Sequence, residues 1–317
     1  MSSLTWRGDS RRPRLEFRGS WFPHKEFVPN GRLGHVEINS AGFRGPEYPR
    51  EAPEGIKRIA FIGDSETFGQ YLKDDETLPA AVERELKSLS PAERYEALNF
   101  GVPGYNTEQE LIQLRELAIH YNPDIVVLYY VLNDAGSKST APNPKIWWNS
   151  YLFVLYKTVT FGAVKKDVVR AKPVDSFSGW LPRAYLKSHR ENFQPVERSI
   201  REIDKLLKAR RVRFIIVIAP EIVAYADFKD FPYRDIHKQI TAFHSNSVDV
   251  IDPLDVVAAL GKSPQGLWVL PEKDPHKNAE ATAAIAKVVA RRIVGRPEPR
   301  PAWAEPEDNP GESPDRL

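Results

Sequence analysis

From Arg58 onward the chain repeats one pattern, a short apolar, often β-branched run followed by an amphipathic stretch at helical spacing. The runs are RIAFIG, YEALNF, DIVVLYYVL, RFIIVIAP and SVDVID. Each is bounded by turn residues, which marks buried strands. Between them, residues 107–121 predict a helix that opens on a capping box of Thr107 and Glu110. It buries Leu111, Leu114 and Ala118 and stops at Asn122-Pro123. A second helix carries Val196, Ile200, Ile203 and Leu207 on one face, and a last one is N-capped by Asn278 with Ile285, Val288, Val289 and Ile293 inward. Such alternation predicts a doubly wound parallel α/β layer, with ligands held beyond the carboxyl ends of the strands.

Three regions break the pattern. Residues 1–56 are rich in Arg, Pro and Gly and have no sustained period, which predicts an irregular arm. Residues 137–190, with WWNSYLFVLYKTVTF and FSGWLPRAYL, form an aromatic insertion too long for an ordinary connection and are a candidate cap. Residues 296–317 alternate prolines with acids and predict a disordered tail. The expected division is an arm 1–56, one domain 57–295 carrying the insertion, and the tail; 317 residues suit one such domain with embellishments.

The charge balance, 45 basic against 43 acidic residues, leaves a net +2 with no basic stripe. Nucleic acid and anionic membrane are therefore not expected partners, and a small molecule or glycan is. Lys165, Lys166, Arg170 and Lys172 read either as a greeting for an acidic substrate or as a solvated helix face. Cysteine is absent, which excludes disulfides and thiolate chemistry. The N-terminus lacks a signal-like apolar core, and no stretch approaches the ~20 apolar residues of a membrane span, so a cytoplasmic protein is expected. Nothing in the sequence specifies an oligomeric state.

Gly-Asp-Ser occurs twice, at Ser10 in RGDSRR and at Ser65 in RIAFIGDSETFG. Ser10 lies between arginines in the arm with no strand to hold it, and without a signal-like leader the Arg-Gly-Asp does not read as an adhesion motif. Ser65 follows the first strand, where a rigid sheet edge would present its hydroxyl to the crevice. A nucleophilic serine needs a base, an orienting acid and oxyanion donors. His276 stands just before the N-cap of the last helix, whose positive end favours a neutral imidazole and an apparent pKa near or below ~6.5. Asp274, two residues earlier, can orient it, with Glu272 in reserve. His24 and His35 fall in the arm and His120 at a helix end, while His189, His237 and His244 sit in polar helical contexts and read as surface residues.

Oxyanion donors are expected from the N–H groups of Ser65 and Gly104 and from the Asn133 amide. Gly104 follows Gly101 out of the second strand, where a missing Cβ allows close approach, and Asn133 leaves the third. The plainer alternatives stand beside these: Gly104 only makes a turn and Asn133 only caps a segment. No G-x-G-x-x-G, no phosphate-cradling G-x-x-x-x-G-K-[ST] and no metal-ligand spacing of histidines is present, so no cofactor and no metal is expected.

Taken together, GDSETFG, NFGVPGYNT, LND and DPHKN resemble the four ordered blocks of the SGNH/GDSL hydrolase superfamily, and INSAGFRG at 38–45 is similar to a lead-in segment of one bacterial branch. The resemblance covers 38–295 apart from much of the insertion. It implies a three-layer α/β/α, flavodoxin-like five-stranded sheet with an inserted cap segment. It also implies a serine esterase or acylhydrolase in which Ser65, His276 and Asp274 form a triad and Ser65, Gly104 and Asn133 an oxyanion hole. The substrate expected is an ester of a short acyl group, on a glycan as one option, with Trp147 and Trp148 of the cap beside it. An O-acyltransferase using the same residues and a catalytically idle binding protein are the alternatives. The chain departs from the family pattern at Leu132, where a glycine is usual, at Lys277, where a proline is common, and at Ala281-Thr282, where a glycine-histidine pair is expected. Its aspartate stands two rather than three residues before the histidine.

Overall fold

The computed structural model describes residues 17–19, 25–33, 35–135, 181–223, 225–271 and 274–296. Ser10, Lys165, Lys166, Arg170, Lys172, the Trp147–Trp148 pair, Glu272 and residues 297–317 lie outside them.

Five parallel strands form the central sheet: β1 (Ile56–Gly63), β2 (Arg94–Asn99), β3 (Ile125–Tyr130), β4 (Arg213–Ile218) and β5 (Val248–Ile251), in spatial order β2-β1-β3-β4-β5. β1 and β3 are paired in register from Ile59 opposite Ile125 to Gly63 opposite Tyr129. Every residue of β3 is buried, as a strand covered on both faces requires.

The helices are α1 (Ser65–Phe68), α2 (Leu78–Leu89), α3 (Thr107–Glu116), α4 (Leu181–Ala209), α5 (Arg234–Thr241), α6 (Leu254–Ala258) and α7 (Ala279–Ile293). The step from β1 to β2 runs across the sheet in one direction and the step from β2 to β3 in the other. Right-handed crossovers then put α2 and α3 on opposite faces. α7 packs on α2 and α4 on α3, completing the three layers. The reversal between β1 and β3 opens a crevice at their carboxyl ends, the place where such folds hold ligands. An antiparallel hairpin, β6 (Trp268–Leu270) with β7 (Asp274–Lys277), precedes α7.

Most of the periodic reading holds. Val196, Ile200, Ile203 and Leu207 are buried on α4, and Ile285, Val288, Val289 and Ile293 on α7, whose cap is Asn278. The cap of α3 is a correction. Asn106, not Thr107, accepts from Gln109 N at 3.0 Å, and Gln109 Oε1 accepts from Asn106 N at 3.1 Å. Asn106 has the extended backbone that an N-cap needs, so the box shifts back one residue and frees Glu110 to turn inward. The helix also ends early, at Glu116, and a short 3-10 turn at Ala118–Tyr121 carries the chain to Asn122.

Two histidines expected on the surface are not there. His189 is buried with its Nε2 2.9 Å from the Tyr130 hydroxyl, and burial pushes it down to about 4. His237 is buried with its Nδ1 2.8 Å from Asp252 Oδ2. Their sequence neighbours are polar, but the helical period turns these positions inward. The last residues of the expected insertion, 181–190, belong to α4.

In the arm, short antiparallel pairs join Phe17–Gly19 to Lys25–Phe27 and Arg32–Leu33 to Val36–Glu37, too brief to show a period. Phe43 enters the main core, against Phe100 and Tyr121. No described helix is long and apolar enough to cross a membrane.

Candidate active site

A four-residue helix cannot hold itself, because closing one turn fixes several backbone angles for little return. α1, with Ser65 as its first residue, is held from outside. At its start Asp64 Oδ1 accepts from Glu66 N at 2.9 Å. At its end the buried Arg44 guanidinium donates to the carbonyls of Phe68, Gly69 and Leu72, each at 2.8 Å, and is anchored on Asp74. Gly101, leaving β2, presses on the same helix: a Cβ there would lie 2.3 Å from Phe68 N. Its missing Cβ therefore admits the turn that carries Ser65 rather than a ligand, and its N–H is taken by Asn99 Oδ1 at 3.0 Å.

His276 reaches this helix from β7. The Ser65 hydroxyl donates to His276 Nε2 at 2.7 Å, across 211 residues of sequence. On the other side of the ring, Nδ1 donates to Asp274 Oδ1, which also accepts the backbone N–H of His276 at 3.1 Å. One carboxylate oxygen of Asp274 thus serves both donors of His276 from within the same strand. The two-residue spacing is thus sufficient for the contact.

Asn133 sits in a 3-10 turn (Leu132–Ala135) at the end of β3, its amide donating to Asp64 Oδ2 at 3.0 Å. One N–H is thereby spent on the residue preceding Ser65, and the second remains on the same nitrogen. Gly104 is exposed, with φ +77°, in a turn closed by Tyr105 N donating to Val102 O at 3.1 Å. Val102 N donates to Gly63 O at 3.0 Å, which binds this loop to the end of β1.

A set of buried acids lies within the field of Asp64. Asp134 Oδ2 accepts from Val131 N at 3.2 Å and from the Thr107 hydroxyl at 3.4 Å. Both oxygens of Glu110 are buried with no hydrogen-bond partner among the described residues. Burial, and after it the field of Asp134 and Asp64, pushes Glu110 well above the ordinary carboxylate range; burial and the field of Asp64 do the same to Asp134. Asp64 is raised as well, by burial, against its bonds from Glu66 and Asn133.

The imidazole responds to these charges. Burial alone would lower His276, but the hydrogen bond to Asp274 and the negative fields of Glu66, Asp274 and Asp64 outweigh it and leave the ring above its ordinary value. The positive helix end beside the ring favours the opposite shift, but three acids close by outweigh one helix terminus. Asp274, although its burial opposes this, is held below the ordinary carboxylate range by its bonds from His276.

Sequence reasoning missed Asp64, Arg44, Glu66 and Lys277. Asp64 had a legible signal, an Asp directly before a helix start. Lys277 is buried, with its Nζ 3.0 Å from Glu66 Oε1, a contact that no local pattern announces. Among the described residues no group of His, Asp and Glu forms a metal site.

No protein-family model matches the chain. No curated protein matches it either. Among solved structures it is similar to a lipase from a goat rumen metagenome, at 15% identity over 75% of this chain and 97% of that one, with a TM-score of 0.48. It is also similar to a lipase/acylhydrolase from Enterococcus faecalis, at 19% identity over 77% of this chain and 98% of that one, with a TM-score of 0.42. A two-domain esterase active on acetylated mannans aligns at 15% identity over 80% of this chain and 52% of its own length, with a TM-score of 0.43.

Proposed function

We propose that this chain is a serine hydrolase of carboxylic esters, of the SGNH/GDSL type that its four sequence blocks resemble. The observation that carries the reading is the unbroken relay from the Ser65 hydroxyl through His276 to Asp274, placed where the sheet reverses direction. In the proposed reaction His276 Nε2 takes the proton as Ser65 Oγ attacks the ester carbonyl. The negative oxygen that forms is stabilised by the N–H groups of Ser65 and Gly104 and by the second amide N–H of Asn133. His276 then gives its proton to the departing alkoxide, leaving an acyl-Ser65. Water, deprotonated by the same ring, releases the acid and restores the serine. Asp274 fixes the tautomer with Nδ1 protonated.

The test is covalent labelling by a fluorophosphonate, located by mass spectrometry, together with hydrolysis of p-nitrophenyl esters of increasing chain length. Labelling at Ser65 and turnover of at least the short esters are expected. A protein labelled nowhere and inert on every ester refutes the reading and leaves the site as a binding cleft.

A further inference from the structure

Two parallel links join the segment that carries the nucleophile to the segment that carries the base. Ser65 bonds His276, and one residue further along each segment Glu66 bonds Lys277, Oε1 to Nζ at 3.0 Å. The second link is nearly out of solvent, with the Lys277 side chain 3% and the Glu66 side chain 12% exposed. A lysine is almost never buried without a partner, and an ion pair so enclosed is little screened. Lys277 Nζ also stands 6.0 Å from the centre of the Tyr129 ring, at the carboxyl end of β3. The partly buried Glu221, beyond the end of β4, is a further acid within the field of both Lys277 and His276.

Resting on the hydrolase reading above, we infer that the Glu66–Lys277 ion pair is a positioning device: it holds the base segment against the nucleophile segment and sets the charge that His276 experiences. The groups in the field of the imidazole are Asp274 on its own strand, Asp64 and Glu66 on the nucleophile segment, and Glu221 beyond the end of β4, and the cation set among them is Lys277, the next residue along, paired with Glu66. Four carboxylates around one imidazole would hold its proton too tightly for a base working near neutrality. Lys277 offsets that field at the position where the sequence resemblance leads one to expect a proline. Its role is electrostatic as well as mechanical, and the two parts make different predictions.

The experiment is an NMR titration of the His276 ring, assigned by loss of its signal in His276→Ala, run alongside the pH profile of ester hydrolysis. Lys277→Met leaves Glu66 and Glu221 uncompensated, so the His276 titration and the acidic limb of kcat/KM should both move up, by about one pH unit. Glu66→Gln removes a negative neighbour and keeps the cation, so both should move down by a similar amount. Lys277→Arg keeps the charge and should hold the wild-type position, and Glu66→Gln combined with Lys277→Met should lie between the single variants. Single variants that lower Tm without moving the titration, or that move it in the same direction, overturn the inference.

Where a single variant does not fold, the wild-type protein carries the test: the Lys277 Nζ resonance should shift as His276 titrates, and its constancy overturns the coupling. The two readings fail separately. A His276 titration that responds to Lys277 in a protein whose Ser65 takes no label removes the hydrolase and keeps the ion pair. Labelling of Ser65 with an unresponsive titration does the reverse.

Discussion

His276 and His237 each hold an aspartate with Nδ1, yet they differ in what the other ring nitrogen meets. His276 Nε2 accepts from the Ser65 hydroxyl at 2.7 Å, where β1 and β3 part. His237, on α5, bonds Asp252 at the end of β5, the edge strand, and its Nε2 is buried with no hydrogen-bond partner among the described residues. Among the described residues an imidazole hydrogen-bonded to an aspartate therefore occurs both at the central crevice and at the sheet's margin. What separates the candidate base from the histidine at the margin is the third group, Ser65, which the fold supplies where the connections from neighbouring parallel strands run in opposite directions.

The widest gap between the two pairs should appear in turnover. Ser65→Ala and His276→Ala are each expected to reduce kcat/KM for a short p-nitrophenyl ester on the order of a thousandfold or more, with the circular dichroism spectrum unchanged. His237→Gln should keep turnover within a factor of about two and lower Tm by several degrees, since it disturbs a buried hydrogen bond worth about 1–3 kcal/mol. If His237→Gln loses activity while His276→Ala keeps it, the site has been placed at the wrong pair.

The aspartates sharpen the same contrast at a smaller scale. Asp274→Asn should cost on the order of a hundredfold or more in kcat, because an amide no longer selects the tautomer with Nδ1 protonated. Asp252→Asn should act on stability alone. Steady-state kinetics and thermal melts on both variants decide this, and equal kinetic losses would erase the distinction.

Acid titration comes next. His276 is raised above its ordinary value, so kcat/KM should rise with pH through a limb lying above ~6.5, the value for a free imidazole. The sign follows from the base having to be neutral: below the limb the ring is protonated and cannot take the serine proton. For folding, a raised histidine contributes stability that is present in full below the unfolded value and is lost as pH climbs through the folded one. Activity and this part of stability thus run in opposite directions across the limb. A limb at or below ~6.5 would mean that burial dominates the acids around the ring.

Local signals in the sequence carried the scaffold well. RIAFIG and DIVVLYYVL are apolar along their length because helices cover both faces, and Asn278 caps α7 from one position away. Ser65 and His276 were legible because each lies beside a strand end or a helix start. Long-range pairing is what escaped. Arg44 supports α1 from 24 residues upstream, and Lys277 meets Glu66 across 211, and nothing in either neighbourhood reports the partner. His189 and His237 were misread for a related reason: SHREN and DIHKQ look solvated, and only the helical face shared with Val196 or with Ile236 and Ile240 turns them inward.

The smallest effect expected concerns what the buried acids near the candidate site cost the fold, where the unpartnered group is a carboxyl rather than the ring nitrogen left unpartnered on His237. Glu110 is fully buried with both oxygens unpartnered, beside Asp134 and within the field of Asp64, and it is raised well above its ordinary value. A carboxyl with a raised folded value contributes its stability in full below the unfolded value, about 4.3, and loses it as pH rises toward the folded value. The wild-type protein should accordingly lose Tm between pH 5 and pH 9 for a reason located at Glu110. Glu110→Gln keeps the shape and removes the ionisation. It should melt near wild type at pH 5 and a few degrees higher at pH 9, roughly 1 kcal/mol of relief being worth about 2–4 °C in a domain of this size. Parallel melts across that range provide the measurement. If the two curves keep a constant separation, Glu110 is not ionising at a cost and the set of buried acids is neutral throughout; if they converge at high pH with the variant below, the charge is being used by the fold and the set has a cation or donor that stabilises it.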